Sequence, residues 1–386
     1  MPPLDHIDAF ADDLTAIRRD IHAHPELGFE EVRTSALVAD LLTGWGIEVT
    51  RGIGKTGVVG VLHGARPGRR IGLRADMDAL PIDEMTNLPY ASRTPGVMHA
   101  CGHDAHTTML LGAARYLAET RDFAGTAVFI FQPAEEGLGG ARAMIADGLF
   151  DRFPCDELYG LHNSPYHDHG VIGVKPGAAM AGADFFDIDI KGVGSHGAMP
   201  QVSRDPVVIG AGIVKEIQGI VARNMDPTKP AVVSITQFHA GAAYNVIPET
   251  ARLSGTVRYF DTADEELIAR RIRAICQGFA IAHEVEIDVS IRNVFDVLMN
   301  DPARADDLVT AARDVVGMDK AGLKDGLQMG SEDMADMLRI VPGAYCTLGH
   351  GGTVPLHNPG FVFDDAALPL GASLLARLVE TRGAAG

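Results

Sequence analysis

Apolar residues at Phe10, Leu14, Ile17 and Ile21 recur every three or four positions, the spacing of one stripe on a helix, and Pro25 sets its limit. Beyond it the pattern shortens. Apolar, β-branched runs at 57–62, 71–74, 126–131 and 158–161 alternate with helical stretches such as 107–120, which predicts an α/β sheet with parallel strands. From 184 to 293 the rhythm becomes strand 185–190, helix 206–223, strands 231–239 and 250–259, helix 265–283, strand 285–292, the order of a split βαβ, ferredoxin-like α+β unit. A helix at 302–316 and a buried strand at 344–348 follow, so the first domain resumes. The expected organisation is a domain over 1–183 and 294–386, interrupted by an inserted one over 184–293. No internal repeat, low-complexity run or linker breaks this plan.

Length and charge narrow the options. A chain of 386 residues, 46% of them hydrophobic, accommodates two ordered domains. Its formal charge of −18 repels polyphosphate and anionic head groups, so nucleic acid and membranes are not expected partners. An anionic small substrate would need local positive charge from arginine or metal ions. The first twenty residues lack the apolar run of a signal peptide, and no later stretch has the length of a membrane span. A soluble cytoplasmic enzyme is the expectation. Four cysteines, at 101, 155, 276 and 346, are too few and too dispersed for a disulfide scaffold, leaving at least one for chemistry.

The densest chemical signal is MHACGHDAH, 98–106, just ahead of the predicted helix. Thiolate and imidazole suit zinc and its neighbours, so Cys101, His103 and His106 are compatible with a catalytic or a structural metal site, while Asp104 equally suits a helix cap. Further donors stand at the ends of predicted strands: Glu135 and Glu136 after TAVFIFQ, His162 and Asn163 after ELYGL, and His357 after a Gly-rich loop. C-terminal strand ends are where ligands gather in an open α/β sheet. Adjacent carboxylates are otherwise a solvated turn, and a lone loop histidine ordinary surface. Together the groups supply ligands for a metal pair plus one spare carboxylate. Metal coordination can lower the pKa of water to about 7, and a neighbouring base can carry its proton to a leaving nitrogen.

The chain resembles the amidohydrolase branch of the dinuclear-metal aminoacylase and carboxypeptidase peptidases, which includes hippurate hydrolases, N-acyl-amino-acid deacylases and plant auxin-conjugate hydrolases. The matching stretches are RRDIHAHPELGFEE (18–31), LRADMDALPI (73–82), HACGHDAH (99–106), FQPAEEG (131–137) and LHNSP (161–165). GSHGAMP (194–200), AYNVIPE (243–249), GTVRYFD (255–261), GSEDM (330–334) and LHNPGF (356–361) continue the series. The resemblance implies a mixed-sheet dinuclear-metal hydrolase domain with an inserted lid and dimerisation domain. It implies two divalent ions held by Cys101 as the bridge and by His103, Glu136, His162 and His357, with Glu135 as general base. It gives His196 to the oxyanion, in its own or a partner subunit's site, and Asn245 and Arg258 to the substrate carboxylate. A bridging thiolate favours zinc, cobalt or nickel, with manganese a further candidate. The implied reaction is hydrolysis of an N-acetyl, N-benzoyl or similar amino acid, the implied assembly a homodimer or higher homo-oligomer. The rival readings are a dipeptidase or carboxypeptidase with the same centre, and a silent metal-binding protein. Ser195 and Gln201 depart from the family's Gly and His, which bears on substrate preference.

Three other signals carry no function. His22 and His24 form an HxH pair at a helix end and read as structural. Gly54, Lys55 and Thr56 imitate a phosphate loop, but Val49 stands where its first glycine belongs. His167 and His169 read as solvated loop histidines.

Overall fold

The computed structural model describes residues 3–384. The chain forms two compact units, one running to Ala179 and resuming as Met299–Leu327 and from Asp333, the other comprising Met180–Leu298 and Gln328–Glu332. The second unit is thus wider than 184–293, and 328–332, which the sequence pattern assigns to the first domain, packs with it. Ala181 N donates to the carbonyls of Gln328 and Gly330 at 3.0 Å each, which holds that segment by its backbone.

In the first unit the eight-stranded sheet runs Glu48–Ile53, Gly57–His63, Ala124–Gln132, Arg66–Asp76, Glu157–Ser164, Gly343–Gly349, Ile172–Val174, Ala321–Leu323. Its four central strands, from Ala124–Gln132 to Gly343–Gly349, are mutually parallel. The flanks are not: Gly57–His63 is antiparallel to both neighbours, and Ile172–Val174 is antiparallel to Gly343–Gly349. The parallel pairing expected from the alternation of elements holds at the centre, and the antiparallel flanks make the sheet mixed, as the resemblance implies. The tight turn at Gly54 and Lys55, both with positive φ, is too short for a crossover and makes the first two strands a hairpin. Centrally, Ala127, Phe129 and Phe131 join the main core while Val128 and Ile130 are equally buried on the other face. Burial on both faces explains why TAVFIF lacks polar alternation.

The predicted opening helix is Ala11–Ala23, preceded by a short helix Leu4–Asp8, with Phe10, Leu14 and Ile21 buried. The helix predicted over 107–120 starts earlier, at His103. Gly102, with φ of 87°, turns the chain into it, and a Cβ there would lie 2.4 Å from Asn163 Nδ2. Asp104 does not cap this helix; its carboxylate accepts from His22 Nδ1 (2.8 Å) and Arg18 Nη1 (3.3 Å) on the opening helix.

The second unit is an antiparallel sheet ordered Val232–Ala240, Thr250–Tyr259, Gly182–Lys191, Glu286–Phe295. Each β-α-β crossover skips over one intervening strand, the ferredoxin-like arrangement. Phe186, Ile188 and Ile190 alternate into a core shared with Ile209, Ile213, Ile268 and Ile272 of the helices, whereas Asp187 and Asp189 pair with Arg252 on the other face. The helix predicted over 206–223 breaks into Pro206–Ile217 and Gly219–Asn224. Among the described residues, no helix is long and apolar enough to cross a membrane.

Candidate metal centre

Because the four central strands run the same way, the loops leaving them at Asp76, Gln132, Ser164 and Gly349 emerge along one edge of the sheet. Each brings a donor segment. The loop after Asp76 leads to Cys101 and His103; Glu135 and Glu136 follow Gln132; His162 is near the end of its own strand; His357 comes from the loop after Gly349. His357 N donates to Ala100 O (2.9 Å), tying that last loop beside Cys101.

Six predicted residues converge here. Cys101, His103 and His162 form one group able to hold a cation, and Cys101, Glu136 and His357 a second, with donor atoms in each group mutually within 4.8 Å. The sulfur is common to both. Cys101 Sγ lies 3.4 Å from His162 Nε2, and His357 Nε2 lies 3.3 Å from Glu136 Oε1. Glu135 forms a further group with His103 and Glu136.

The surrounding hydrogen bonds aim these donors. His103 Nδ1 donates to Asp78 Oδ1 (3.1 Å), whose other oxygen accepts from Glu136 N (2.9 Å), so one carboxylate orients a ligand candidate from each group. His162 Nδ1 donates to Asn163 O (2.6 Å), leaving Nε2 for the sulfur side. His106 is occupied: Nδ1 donates to Asp76 (2.6 Å) and Nε2 accepts from Asn163 N and Nδ2, both at 2.9 Å. It supports the centre rather than contributing a donor. Asn163 Nδ2 also donates to Cys101 O (2.6 Å), fastening the cysteine loop to the His162 strand.

The electrostatics suit cations. Burial and then Glu136 push the Cys101 thiol up. Burial opposes charge on His103, but Asp76 and Cys101 outweigh it and raise its pKa well above normal. Cys101, then Glu136, lift His357 to about 10. Burial and the neighbouring His106 hold His162 down to about 3, so it is a neutral imidazole. The protons drawn to His103 and His357 mark a donor set whose negative charge calls for compensation. Buried His103 Nε2 has no hydrogen-bond partner, as expected of an atom that faces a cation. Sulfur, imidazole and carboxylate donors in two groups therefore fit a pair of divalent ions.

His196, Asn245 and Arg258 belong to the second unit. His196 pairs with Val246 in a two-stranded ribbon, and Gly197 N donates to Asn245 O (2.7 Å), which sets His196 and Asn245 side by side. Arg258 pairs with Ala183 in the main sheet, and its guanidinium donates to Thr256 Oγ1 and Val257 O. Asp76 and Asp78 have no role in the sequence reading, and Asn163 enters it only as a donor at a strand end. The available signal was charge at alternate positions, Arg74, Asp76 and Asp78, at the end of an apolar strand. His22 and His24 bond to Asp104 and to Asp20 O, away from the donor groups, and His167 and His169 are half-buried.

Comparison with known proteins gives this geometry a family. The chain is 44% identical over 362 residues to a hippurate hydrolase of Campylobacter jejuni, covering 94% of each protein. It is 38% identical over 369 residues to thermostable carboxypeptidase 1 of Saccharolobus solfataricus, covering 92% of each. The crystal structure of a dinuclear metal binding peptidase from Bacillus subtilis superposes with a TM-score of 0.84 at 35% identity, over 97% of this chain and 98% of that one. Residues 72–381 match the profile of Peptidase family M20/M25/M40, and the chain belongs to that family.

Proposed function

We propose that this protein is a metal-dependent amidohydrolase that splits N-acyl amino acids into a carboxylic acid and a free amino acid. The observation that carries the reading is a pair of donor groups sharing one sulfur, with Glu135 against the His103–Glu136 side. Its likeness to a hippurate hydrolase, whose substrate is an N-acyl amino acid, supports the same substrate class. Cys101 would bridge two divalent ions, with His103 and His162 on one and Glu136 and His357 on the other. When bound, such a pair polarises the amide carbonyl and acidifies water. Glu135 takes the proton from the attacking water and returns it to the leaving nitrogen. The thiolate favours zinc, cobalt or nickel, with manganese also accommodated by the carboxylate and imidazoles.

His196 is proposed to stabilise the oxyanion, and Asn245 and Arg258 to hold the substrate carboxylate. Burial lowers the pKa of Arg258 against the opposing pull of Asp184, and its guanidinium donates to Thr256 Oγ1 and Val257 O. A half-desolvated guanidinium is suited to a two-point grip on an incoming carboxylate. Pairing of two chains is proposed through the second unit, where the edge strand Val232–Ala240 is exposed from Thr236 onward.

The test compares turnover of N-acetyl and N-benzoyl amino acids with that of free dipeptides on protein of known metal content. Preference for dipeptides would transfer the reading to the peptidase branch, which the likeness to a carboxypeptidase favours. Glu135→Gln should keep its metals and lose kcat by about 10²- to 10⁴-fold. An unchanged kcat would remove Glu135 as the base, and no turnover of either substrate class by the parent protein would leave only a metal-binding protein.

A further inference from the structure

Adjacent side chains on an extended backbone point to opposite sides, yet Glu135 and Glu136 both come within 4.8 Å of the His103 donor atom. The turn that allows this is left-handed at Ala134, with φ of 53°. An alanine there costs roughly 1–2 kcal/mol relative to an ordinary backbone, so something must hold it. Its carbonyl accepts from Gly140 N (3.0 Å), and its N–H donates to Glu31 Oε1 (2.8 Å).

Glu31 is placed for a different task. It occupies the position before the helix Val32–Gly44, where an acidic side chain ordinarily caps the first turn, yet it makes no cap hydrogen bond. Glu26 does that work, accepting from Arg33 N and Thr34 N at 2.8 Å each. Glu31, fully buried, instead turns inward to Ala134 and accepts from Thr56 Oγ1 (2.5 Å) with its second oxygen. Gly28 brings the same segment onto the turn, since a Cβ there would lie 3.0 Å from both Ala134 Cα and Cβ. On the far side of Glu135, Glu136 N is held by Asp78. Glu135 therefore sits between two backbone N–H groups, each fixed by a buried carboxylate.

We propose that Glu31 is a positioning residue that locks Ala134 in its left-handed conformation and so aims Glu135 and Glu136 together at the metal centre. This rests on the roles proposed above for those two glutamates. Removing the carboxylate frees Ala134 N–H from its acceptor, and the turn relaxes toward ordinary backbone, swinging base and ligand apart.

The experiment uses the full chain. For Glu31→Ala we expect kcat per folded molecule to fall about 10- to 100-fold with KM nearly unchanged. Titration with cobalt(II), followed by its d–d absorption without substrate, should show one of the two equivalents weakened about 10- to 100-fold. Glu31→Gln keeps an oxygen acceptor for Ala134 and should stay within about threefold of the parent in both readouts. Thr56→Val removes the other bond of Glu31 and should lower the melting temperature while leaving kcat and both cobalt equivalents intact. If Glu31→Ala does not fold, Glu31→Asp, which withdraws the acceptor by one methylene, carries the same expectation. Parental kcat and cobalt binding in the Ala or Asp variant, or a Gln variant as impaired as Ala, overturns the proposal. Glu135→Gln keeps the two questions apart: if it stays active, the base role on which the proposal rests fails; if it is inactive while Glu31→Ala is unimpaired, only the positioning role fails.

Discussion

Asn163 joins three parts of the centre at once: its carbonyl orients His162, its amide holds the Cys101 carbonyl, and both of its nitrogens meet His106. Its two side-chain bonds are the ones a substitution removes. Asn163→Ala leaves the Cys101 carbonyl without this donor in a buried setting, at about 1–3 kcal/mol. We expect the melting temperature to fall and metal affinity to drop about 10- to 100-fold, measured by competition with a chromogenic chelator. Asn163→Asp should be no better, since an ionised carboxylate offers no donor to either partner. Unaltered metal affinity in both variants would show that the cysteine loop is held by other means. The donor residues themselves were legible in the sequence, because cysteine, histidine and glutamate stood out against the apolar runs they follow. Asp78 and Glu31 were not, because each acts on a backbone N–H 58 or 103 positions away, and such a contact leaves no periodic trace; the bonds of Asn163 were hidden in the same way.

Among elements, the opening helix Ala11–Ala23 and the helix His103–Thr120 are fastened through a buried polar junction. Arg18 and His22 of the first meet Asp104 of the second, and His22 Nε2 also meets Glu84 (3.3 Å). Burial opposes the imidazolium at His22, but Asp104 and Glu84 prevail and raise its pKa to about 9. A raised pKa means the folded chain holds a proton that the unfolded chain releases near 6.5. The stabilisation is complete below that value and is lost as pH climbs through about 9. We expect unfolding free energy from urea titrations to decline over this interval by an amount on the order of 3 kcal/mol at most. In His22→Gln the decline should be smaller; an identical slope in both proteins would remove His22 as its source. Elements with a long apolar period, such as Pro302–Val316 and Thr250–Tyr259, were readable to their ends. The strands Ile172–Val174 and Ala321–Leu323 were not, since three residues are too few to show alternation. The start of His103–Thr120 escaped notice because its first turn is polar and buried, a combination that periodicity scores as loop.

For the whole molecule, the division into two compact units makes stability separable. Metal ions that bind only the folded first unit stabilise it by mass action, about 2.7 kcal/mol at a hundredfold excess over the dissociation constant. Scanning calorimetry with and without a chelator should therefore lower the transition belonging to the first unit and leave that of the second in place. A single transition moving as one would show that the units unfold together. The chain's two-part plan was visible from the change of rhythm near 184, but the return of 328–332 to the second unit was not, because a short irregular segment carries no period and is held by backbone hydrogen bonds to Ala181. That plan also dictates a sequence of events during synthesis. Cys101 and His357 stand on opposite sides of the second unit in the chain, so a ribosome must finish that unit before the last donor exists. Until then the nascent protein carries a thiol with only part of the donor set proposed for it, and loading of both proposed cations has to await synthesis of the loop that carries His357.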